Sequence, residues 1–429
     1  MRFHKRHGVH FTILGTAAVA LLAIFFLRGS VEREPVERSV ARVVEAPYAQ
    51  AVPVPDPEKS EGVAPSPSTG SNEEVSKAKH APAATDPGAA ARLDKEGEAP
   101  GEEIDDATLV RLHGDQPLTQ DHPEVAAAIA IQERNTGWLM AHPAVVGTAV
   151  GLNDKGEIAL MVLTKVEPND IPAIIEGLPV VIWQSGELVA RNRLTTQDDV
   201  NSRTHTGGAS GTAKYARPVP IGVSTGHPAI TAGTIGCRVK AGTQLFALSN
   251  NHVYADENRA LLGDNVLQPG AYDGGLNPGD AIGALSAFVT IKFDGSDNKV
   301  DAAIALSDAA QLGKASPAVY NWTPKSAPLA AALKMSVKKV GRTTGQTFGT
   351  VKGINATVNV GYDLGVARFV GQILIGNATF SAGGDSGSLI VKKSDNSPVG
   401  LLFAGSSSVT IANKISDALV ALAVTVDGN

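Results

Sequence analysis

The sequence predicts a mainly β protein whose C-terminal half forms a barrel or a sandwich of short strands. Turns should be frequent, because 45 glycines and 25 prolines occur among 429 residues. From about Ala216 onward, short apolar runs recur between Gly, Pro, Asn or Asp residues, and no helical period is sustained until Ala412–Val424. No internal repeat of fixed length is visible. The clearest runs are Thr234–Val239, Gln244–Leu248, Ala302–Leu306, Gln346–Val351, Gln372–Ile375, Ser388–Val391 and Gly400–Ala404.

The N-terminus is typical of a secretion or anchoring signal. Arg2, Lys5 and Arg6 precede the uncharged apolar run Phe11–Leu27. At about 1.5 Å per residue the run spans about 25 Å, slightly less than a hydrocarbon core of about 30 Å. No clear small-residue cleavage site follows. We therefore expect residues 1–28 to be a signal anchor that places the folded part outside the cytoplasm; secretion after cleavage is the alternative.

Composition divides the remainder into four segments. Residues 29–118 are rich in Pro, Ala, Glu, Ser and Gly, so they cannot bury enough surface to fold and are expected to be a disordered linker. A small α+β module is predicted over 119–194, a polar linker over 195–215 and the β domain over 216–429.

Within the module, Pro123–Glu133 is alanine-rich and starts with proline, which predicts a helix. Val145–Leu152 and Ile158–Lys165 flank a turn that contains glycine, which predicts a β-hairpin. A short helix capped at Asn169 and ending at Glu176, then a strand over Val180–Trp183, complete an α–β–β–α–β order. No catalytic residues are evident in this module.

Charge and cysteine content exclude several classes of function. The net charge is −6 with no basic face, so no nucleic-acid partner is expected. The single cysteine, Cys237, permits no intramolecular disulfide and is expected to be a small buried side chain. The histidines show no metal-ligand spacing, so no metal site is expected.

A candidate nucleophile lies in Gly383–Ser388 (GGDSGS), directly before the apolar run Leu389–Val391. A serine hydroxyl needs a neighbouring base, and its attack on a carbonyl needs donors for the resulting oxyanion. Flanking glycines allow a sharp turn that points backbone N–H groups inward. We expect Ser386 to be the nucleophile and the N–H groups of Gly384 and Ser386 to be the oxyanion donors.

Two further motifs supply a base and a carboxylate. His252 follows the apolar run Leu245–Leu248, and Asp301 stands at the start of a predicted buried strand. A carboxylate there must be hydrogen-bonded, and the Nδ1–H of a histidine would satisfy it while leaving Nε2 free as a base.

His252, Asp301 and Ser386, in this order, resemble the catalytic triad of the chymotrypsin/trypsin-like serine proteases. The resemblance covers roughly Ala216–Val424 and implies a double β-barrel, a peptide or protein substrate and no cofactor. It also implies that Gly400–Gly405 (GLLFAG) lines the substrate cleft, through Phe403, Ala404 and Gly405. The absence of disulfides resembles the bacterial and plant-type branch.

The chain departs from the family pattern in several places. The histidine stands in Asn-Asn-His-Val, and Ser388 replaces the usual second glycine after the nucleophile. Phe380, six residues before Ser386, stands near the place where trypsin-like relatives carry an aspartate that selects Lys or Arg. Small or apolar residues are therefore expected before the cleaved bond.

Two charged motifs, at Asp385 and at Lys338–Gly345, each allow two interpretations. In zymogen-type relatives, the carboxylate that corresponds to Asp385 pairs with a newly freed N-terminal amine. Satisfaction by local donors is slightly favoured here. Lys338–Gly345 is not a phosphate-binding loop and is expected to form a strand and turn that open the second barrel, with substrate contact as the alternative.

These residues predict a membrane-anchored serine endopeptidase that acts through a His-Asp-Ser triad and an acyl-enzyme. The alternative is a catalytically weak binding or scaffolding module that retains the protease fold. A narrower hypothesis makes the small module an intramolecular inhibitor or positioning domain.

Overall fold

The computed structural model describes residues 104–190 and 210–429. The predicted signal anchor, most of the first predicted linker and most of the second lie outside these residues. The helices are α1 Asp106–His113, α2 Pro123–Ala141, α3 Asn251–Tyr254 and α4 Ile415–Ala421. The strands are β1 Val145–Leu152, β2 Ile158–Thr164, β3 Ile174–Ile175, β4 Leu178–Gln184, β5 Val189–Ala190, β6 Ser224–Thr225, β7 Gly233–Thr234, β8 Cys237–Ala241, β9 Gln244–Ser249, β10 Asn265–Leu267, β11 Ala281–Phe288, β12 Asp297–Asn298, β13 Ala303–Ser307, β14 Ser336–Gly341, β15 Gly345–Gly361, β16 Val366–Gly376, β17 Leu389–Lys392, β18 Pro398–Gly405, β19 Val409–Lys414 and β20 Thr425–Val426.

Six strands of the C-terminal part form a closed barrel. The antiparallel pairings run from β16 through β19, β18, β17 and β14 to β15, and β15 pairs with β16 again. Closure leaves none of these strands at the edge of the ring, but β18 extends past the end of β17, and its residues Ala404 and Gly405 pair with β5 instead.

A second antiparallel sheet has six strands in the order β10-β11-β13-β9-β8-β20. Five of them precede the barrel in sequence, and β20 follows it. The inward side chains of this sheet, among them Phe246, Leu248 and Ile304, form a separate apolar cluster that also contains Cys237. Cys237 is fully buried, as the sequence predicts, and burial raises the pKa of its thiol to about 12. The closed barrel and this second sheet confirm the predicted double β-barrel architecture.

The small module extends the sheet of the closed barrel. Its first strand, β1, pairs with β2 on one side and with β15 on the other, with Gly147 opposite Val358. The strands β4 and β3 continue the sheet beyond β2. On the neighbouring helix α2, the Gln132 side chain donates to the Asn355 carbonyl at 3.0 Å, and the Asn355 amide donates back at 2.9 Å. Barrel and module therefore share both backbone and side-chain contacts.

The structure corrects one element of the module. No helix lies over 169–176; instead β3 pairs antiparallel with β4, through a turn in which Glu176 and Gly177 have φ values of 48° and 83°. The β-branched pair Ile174–Ile175 favours a strand, and Gly177 adopts the left-handed turn conformation without strain. The module order is thus α–β–β–β–β, with β5 as a further short strand.

Other boundaries differ as well, and helix α1 lies within the segment 29–118 that the sequence predicts to be a disordered linker. The helix predicted over Pro123–Glu133 continues to Ala141, and the helical period near the C-terminus corresponds to α4. None of the described helices is long and apolar enough to cross a membrane. The apolar run Phe11–Leu27 lies outside the described residues.

Candidate active site

His252 and Asp301 meet because their strands pair and end together. Strand β9 runs antiparallel to β13, with Ser249 opposite Ala303. His252 lies just beyond Ser249 in the short helix α3, and Asp301 lies just before Ala303. His252 Nδ1 is 2.5 Å from Asp301 Oδ2. Both side chains are fully buried.

The Asp301 carboxylate has two further donors. The backbone N–H of His252 donates to Oδ1 at 3.3 Å, and the Tyr362 hydroxyl donates to Oδ2 at 2.9 Å. Burial, together with the neighbouring Asp301 charge, raises the pKa of Tyr362 well above its ordinary value, so the phenol stays protonated and keeps donating. Asp301 is thus held as a buried, multiply hydrogen-bonded acceptor beside the histidine.

The backbone around Asp301 is also fixed. Asn250 Nδ2 donates to the Asp301 carbonyl at 2.7 Å, and the Asp301 N–H donates to Asn413 Oδ1 at 3.1 Å. Asn413, on β19, belongs to the closed barrel and accepts this bond across the interface between the two sheets. The carboxylate is therefore positioned by both halves of the β domain.

Ser386 lies on a tight turn that only glycine can form. Gly384 and Gly387 have φ values of 88° and 92°, in the left-handed region. A Cβ on Gly387 would come within 2.1 Å of Ser249 Oγ and 2.3 Å of the Thr234 carbonyl oxygen. The turn is thus packed directly against Ser249 of β9, in the six-stranded sheet, and against Thr234 of the short strand β7.

Asp385 anchors this turn through a buried ion pair. Lys339 Nζ lies 3.1 Å from Asp385 Oδ2, and both side chains are fully buried. Thr344 Oγ1 donates to the same oxygen at 2.6 Å, and the Thr343 N–H donates to Oδ1 at 2.9 Å. Burial acts to raise the pKa of the Asp385 carboxyl, but the Lys339 charge and these hydrogen bonds outweigh it and hold the pKa below its ordinary value.

The Lys339–Asp385 ion pair involves both charged motifs for which the sequence allowed two interpretations. Asp385 accepts one local hydrogen bond, from the Ala382 N–H at 3.0 Å, but its other partners, Lys339 and the Thr343–Thr344 segment, lie far from it in sequence, so the expectation of local donors holds only in part. Lys338–Gly345 forms the end of β14 and the turn into β15, as predicted. Lys339 and Arg342 are buried rather than exposed. Arg342 forms a bidentate ion pair with Asp273, which holds the turn under the Ser386 loop.

Thr234, the last residue of β7 in the two-stranded β6–β7 sheet, holds the nucleophile turn through two hydrogen bonds. Its N–H donates to the Ser386 carbonyl at 2.7 Å, and its hydroxyl donates to the Gly384 carbonyl at 2.9 Å. These carbonyls point toward Thr234. The N–H groups of Gly384 and Ser386 donate to no atom within the described part of the chain. They are thus available as oxyanion donors, the role that the sequence predicts for them.

The Ser386 hydroxyl lies along one edge of β18. The Gly387 N–H donates to the Leu402 carbonyl at 2.8 Å, and Ser386 Oγ donates to the next carbonyl, that of Phe403, at 3.3 Å. His252 Nε2 is buried and has no hydrogen-bond partner among the described residues. The serine and the imidazole are therefore both present but are not hydrogen-bonded to each other in this state.

The predicted cleft residues fall into two groups. Phe403, whose carbonyl accepts the Ser386 hydroxyl, is followed by Ala404 and Gly405 at the end of β18. Phe380 is fully buried in an apolar cluster with Ile375 and Ile390, so its side chain packs the interior of the barrel. Its contribution to substrate selection stays a prediction.

Several residues of the site have no local signal in the sequence. Tyr362 and Asn413 lie on separate strands or loops far along the chain from the residues they contact, and isolated Tyr or Asn residues are common. Lys339 stands in an alternating strand, where a lysine is normally assigned to the exposed face. Only the three-dimensional arrangement identifies these partners.

Neither a protein-family model nor a curated protein matches the chain. Solved structures similar to it include a glutamic-acid-specific serine protease, with 22% identity over 48% of this chain and 100% of that chain at a TM-score of 0.36. Thermobifida fusca protease A is 18% identical over 49% and 99% of the two chains, with a TM-score of 0.36. Cellulomonas bogoriensis chymotrypsin is 18% identical over 49% and 99%, with a TM-score of 0.35. The closed barrel and its partner sheet give the chain a double β-barrel fold, which is the fold of the chymotrypsin-like serine proteases.

Proposed function

We propose that the protein is a serine endopeptidase. The observation that supports this most directly is the buried contact between His252 Nδ1 and Asp301 Oδ2, with Nε2 left free of partners among the described residues. In the proposed mechanism Nε2 takes the Ser386 hydroxyl proton as the oxygen attacks the peptide carbonyl. The imidazolium then donates that proton to the leaving amine, and water repeats the sequence on the acyl-enzyme.

The other groups have supporting roles in this mechanism. Asp301 orients the imidazole and stabilises its charged form, and Tyr362 and Asn413 hold Asp301 in place. The N–H groups of Gly384 and Ser386 stabilise the oxyanion, and the edge of β18 at Ala404–Gly405 pairs with the substrate backbone. Catalytic hydrogen bonds are often absent before substrate binds, so the Ser386–Phe403 bond is expected to be exchanged for one to His252.

A fluorophosphonate probe provides the test, because it reacts covalently with an activated serine. We expect labelling of the full chain to be lost in Ser386→Ala and to fall by about a thousandfold or more in His252→Ala. Ser388→Ala is a matched control that keeps a hydroxyl at 386 and should retain labelling. A folded protein that takes up no label under any condition would instead favour the binding or scaffolding alternative.

The membrane anchor is a separate proposal. We propose that residues 1–28 hold the protein at a membrane with the β domain on its extracytoplasmic side. The full chain should sediment with membranes and stay there in alkaline carbonate, and a variant without Phe11–Leu27 should not. Recovery of the full chain in the soluble fraction would contradict this.

A further inference from the structure

The short strand β5 lies next to the candidate nucleophile, at the edge of β18. Along this edge β17 covers the first part of β18, then Gly387 and Ser388 bond to Leu402, and Ser386 Oγ bonds to the Phe403 carbonyl. The next two residues, Ala404 and Gly405, pair antiparallel with Ala190 and Val189 of β5. The edge of β18 beyond the serine is thus filled by a segment of the module.

The direction of β5 is that of a chain running toward the serine. Because the pairing is antiparallel, Val189 lies opposite Gly405 and Ala190 lies opposite Ala404. The residue of β18 that follows on this side is Phe403, whose carbonyl accepts the Ser386 hydroxyl. An extended peptide that adds to this edge would take the same path, since strand addition is the general way in which a sheet edge binds a peptide.

The segment is docked on both sides and through its side chains. Val189 also pairs with Gly361 of β15, and the Gly361 N–H donates to the Leu188 carbonyl at 2.9 Å. Leu188 and Ala190 are 3% and 2% exposed and pack in the same apolar cluster as Phe403 and Tyr362. The Val189 side chain alone points outward, at 39% exposure. This pattern of alternating burial is that of a stable, specifically seated strand.

The state of the site agrees with an occupied groove. Ser386 and His252 have no exposed surface, although an endopeptidase must admit a peptide to both. Ser386 Oγ is bonded to Phe403 and not to His252. The chain is therefore in a form that a substrate cannot enter.

We infer that Leu188–Ala190 is an intramolecular occupant of the substrate groove that blocks peptide binding until β5 leaves the edge of β18. The consequence of this inference, control of proteolysis, rests on the proposed function. The occupation of the groove by β5 does not depend on the proposed function. The groove would accept an extended peptide with an aliphatic side chain as large as leucine at the position of Leu188 and a small one at that of Ala190, because both are enclosed by apolar residues.

Two variants of the full chain test this by different means. Ala190→Asp places a carboxylate in the apolar cluster, and Val189→Pro removes an N–H from a residue that is paired on both sides. We expect the rate of fluorophosphonate labelling at Ser386 to rise about tenfold or more in both, because either change shifts the strand toward its undocked state. Val166→Asp adds the same charge at a site of the module with 61% exposure and should leave the rate unchanged.

A binding measurement separates this inference from the proposed function. The measurement uses Ser386→Ala protein, so it does not depend on catalytic activity. The probe is a fluorescent peptide, Gly-Glu-Leu-Val-Ala, with the sequence of residues 186–190. It should bind when Ala190→Asp or Val189→Pro is also present, and it should not bind to the Ser386→Ala chain alone. Thermal unfolding of each variant establishes that it is folded, and if one variant does not fold the other provides the result.

The outcomes are distinct. Equal peptide binding with and without the releasing substitutions would overturn the inference, even if labelling shows an active serine. Peptide binding only by the released variants, with no labelling in any of them, would support the occupied groove and refute the peptidase. Fast labelling of the unchanged chain, equal to that of both variants, would also overturn the inference.

Discussion

At the scale of the residue, the site depends on buried charges that are each given a partner. Asp301 is partnered by His252 and Tyr362, and Asp385 by Lys339. A buried carboxylate without such partners would be strongly destabilising. The Lys339 ammonium supplies the positive charge beside Asp385 from within the fold.

The first prediction concerns this ion pair. Lys339→Met should lower the free energy of unfolding by about 3–5 kcal/mol, because Asp385 is left buried without its counter-charge. Serine labelling should fall with it, since the turn that carries Gly384 and Ser386 loses its anchor. Lys338→Met is the matched control, because Lys338 is part-exposed beside the Trp322 ring and should cost less than about 1 kcal/mol. Equal losses in the two variants, measured by urea unfolding, would contradict the assigned role.

The same pair predicts a pH dependence. The pKa of Asp385 is lowered in the folded state, so its contribution to stability is present above its unfolded value and is lost as pH falls through the folded value. Without Lys339, burial dominates and the pKa rises. We therefore expect acid unfolding of Lys339→Met, followed by circular dichroism, to begin at a higher pH than in the unchanged protein. An unaltered acid transition would argue that Asp385 is held by its hydrogen bonds alone.

Tyr362 gives a prediction specific to the proposed mechanism. Tyr362→Phe keeps the ring that packs on Phe369 but removes the hydroxyl that donates to Asp301. We expect kcat/KM on peptide substrates to fall about tenfold, the effect of losing one hydrogen bond to a charged group. Tyr254→Phe removes another buried tyrosine hydroxyl, which contacts Thr225 and not the site, and is the control. If Tyr362→Phe lowers thermal stability but leaves kcat/KM unchanged, Tyr362 is a packing residue only.

At the scale of the element, long-range pairing decides how the chain is organised. Strand β15 pairs with β14 over its first residues and then lies between β16 and β1. Apolar clusters on both faces combine module and barrel residues, such as Val125 with Ile354 and Val146 with Val358. Module and closed barrel should therefore unfold together.

Gly151 tests this coupling. A side chain there would meet Met161 Sδ at 2.1 Å and the Lys352 carbonyl at 2.6 Å, so Gly151→Val should separate β1 from its neighbours and cost about 2–4 kcal/mol. Gly137 in helix α2 has no atom within 4 Å of an added Cβ. Gly137→Ala should therefore raise stability by about 0.5–1 kcal/mol. Both changes should shift one common urea transition, whereas two separate transitions would show independent folding.

Local patterns allowed most individual strands to be predicted, but not all of their partners. The apolar runs at Gln244–Leu248, Ala302–Leu306 and Ser388–Val391 correspond to β9, β13 and β17. The alternation of apolar residues along a strand does not show which other strand it pairs with. The sequence therefore contains no signal for the pairing of β1 with β15. In the segment 169–176, Asn169 favours a helix because its side chain can cap one, whereas the adjacent residues Ile174 and Ile175 favour the strand that forms.

At the scale of the whole molecule, the three candidate catalytic residues come from different parts of the β domain. His252 follows β9 and Asp301 precedes β13, two neighbouring strands of the six-stranded sheet, and Ser386 precedes β17 of the closed barrel. Their order along the chain and the strand-end positions could be inferred from sequence, because each motif adjoins an apolar run. The occupied edge of β18 could not, since Leu188–Ala190 is only a short apolar stretch beside a polar segment.

The shared strand β15 has a consequence for the chain after a backbone cut. A single cut between Ala190 and Ser210 would separate the module from the β domain covalently, yet the pairing of β1 with β15 and the Gln132–Asn355 bonds would remain. We expect two fragments on a denaturing gel but one species in size-exclusion chromatography, with separation only in urea. Departure of β5 from its groove would then be an event within a tight complex, independent of dilution. Elution as two species in native buffer would show instead that the module is a dissociable ligand whose occupancy follows protein concentration.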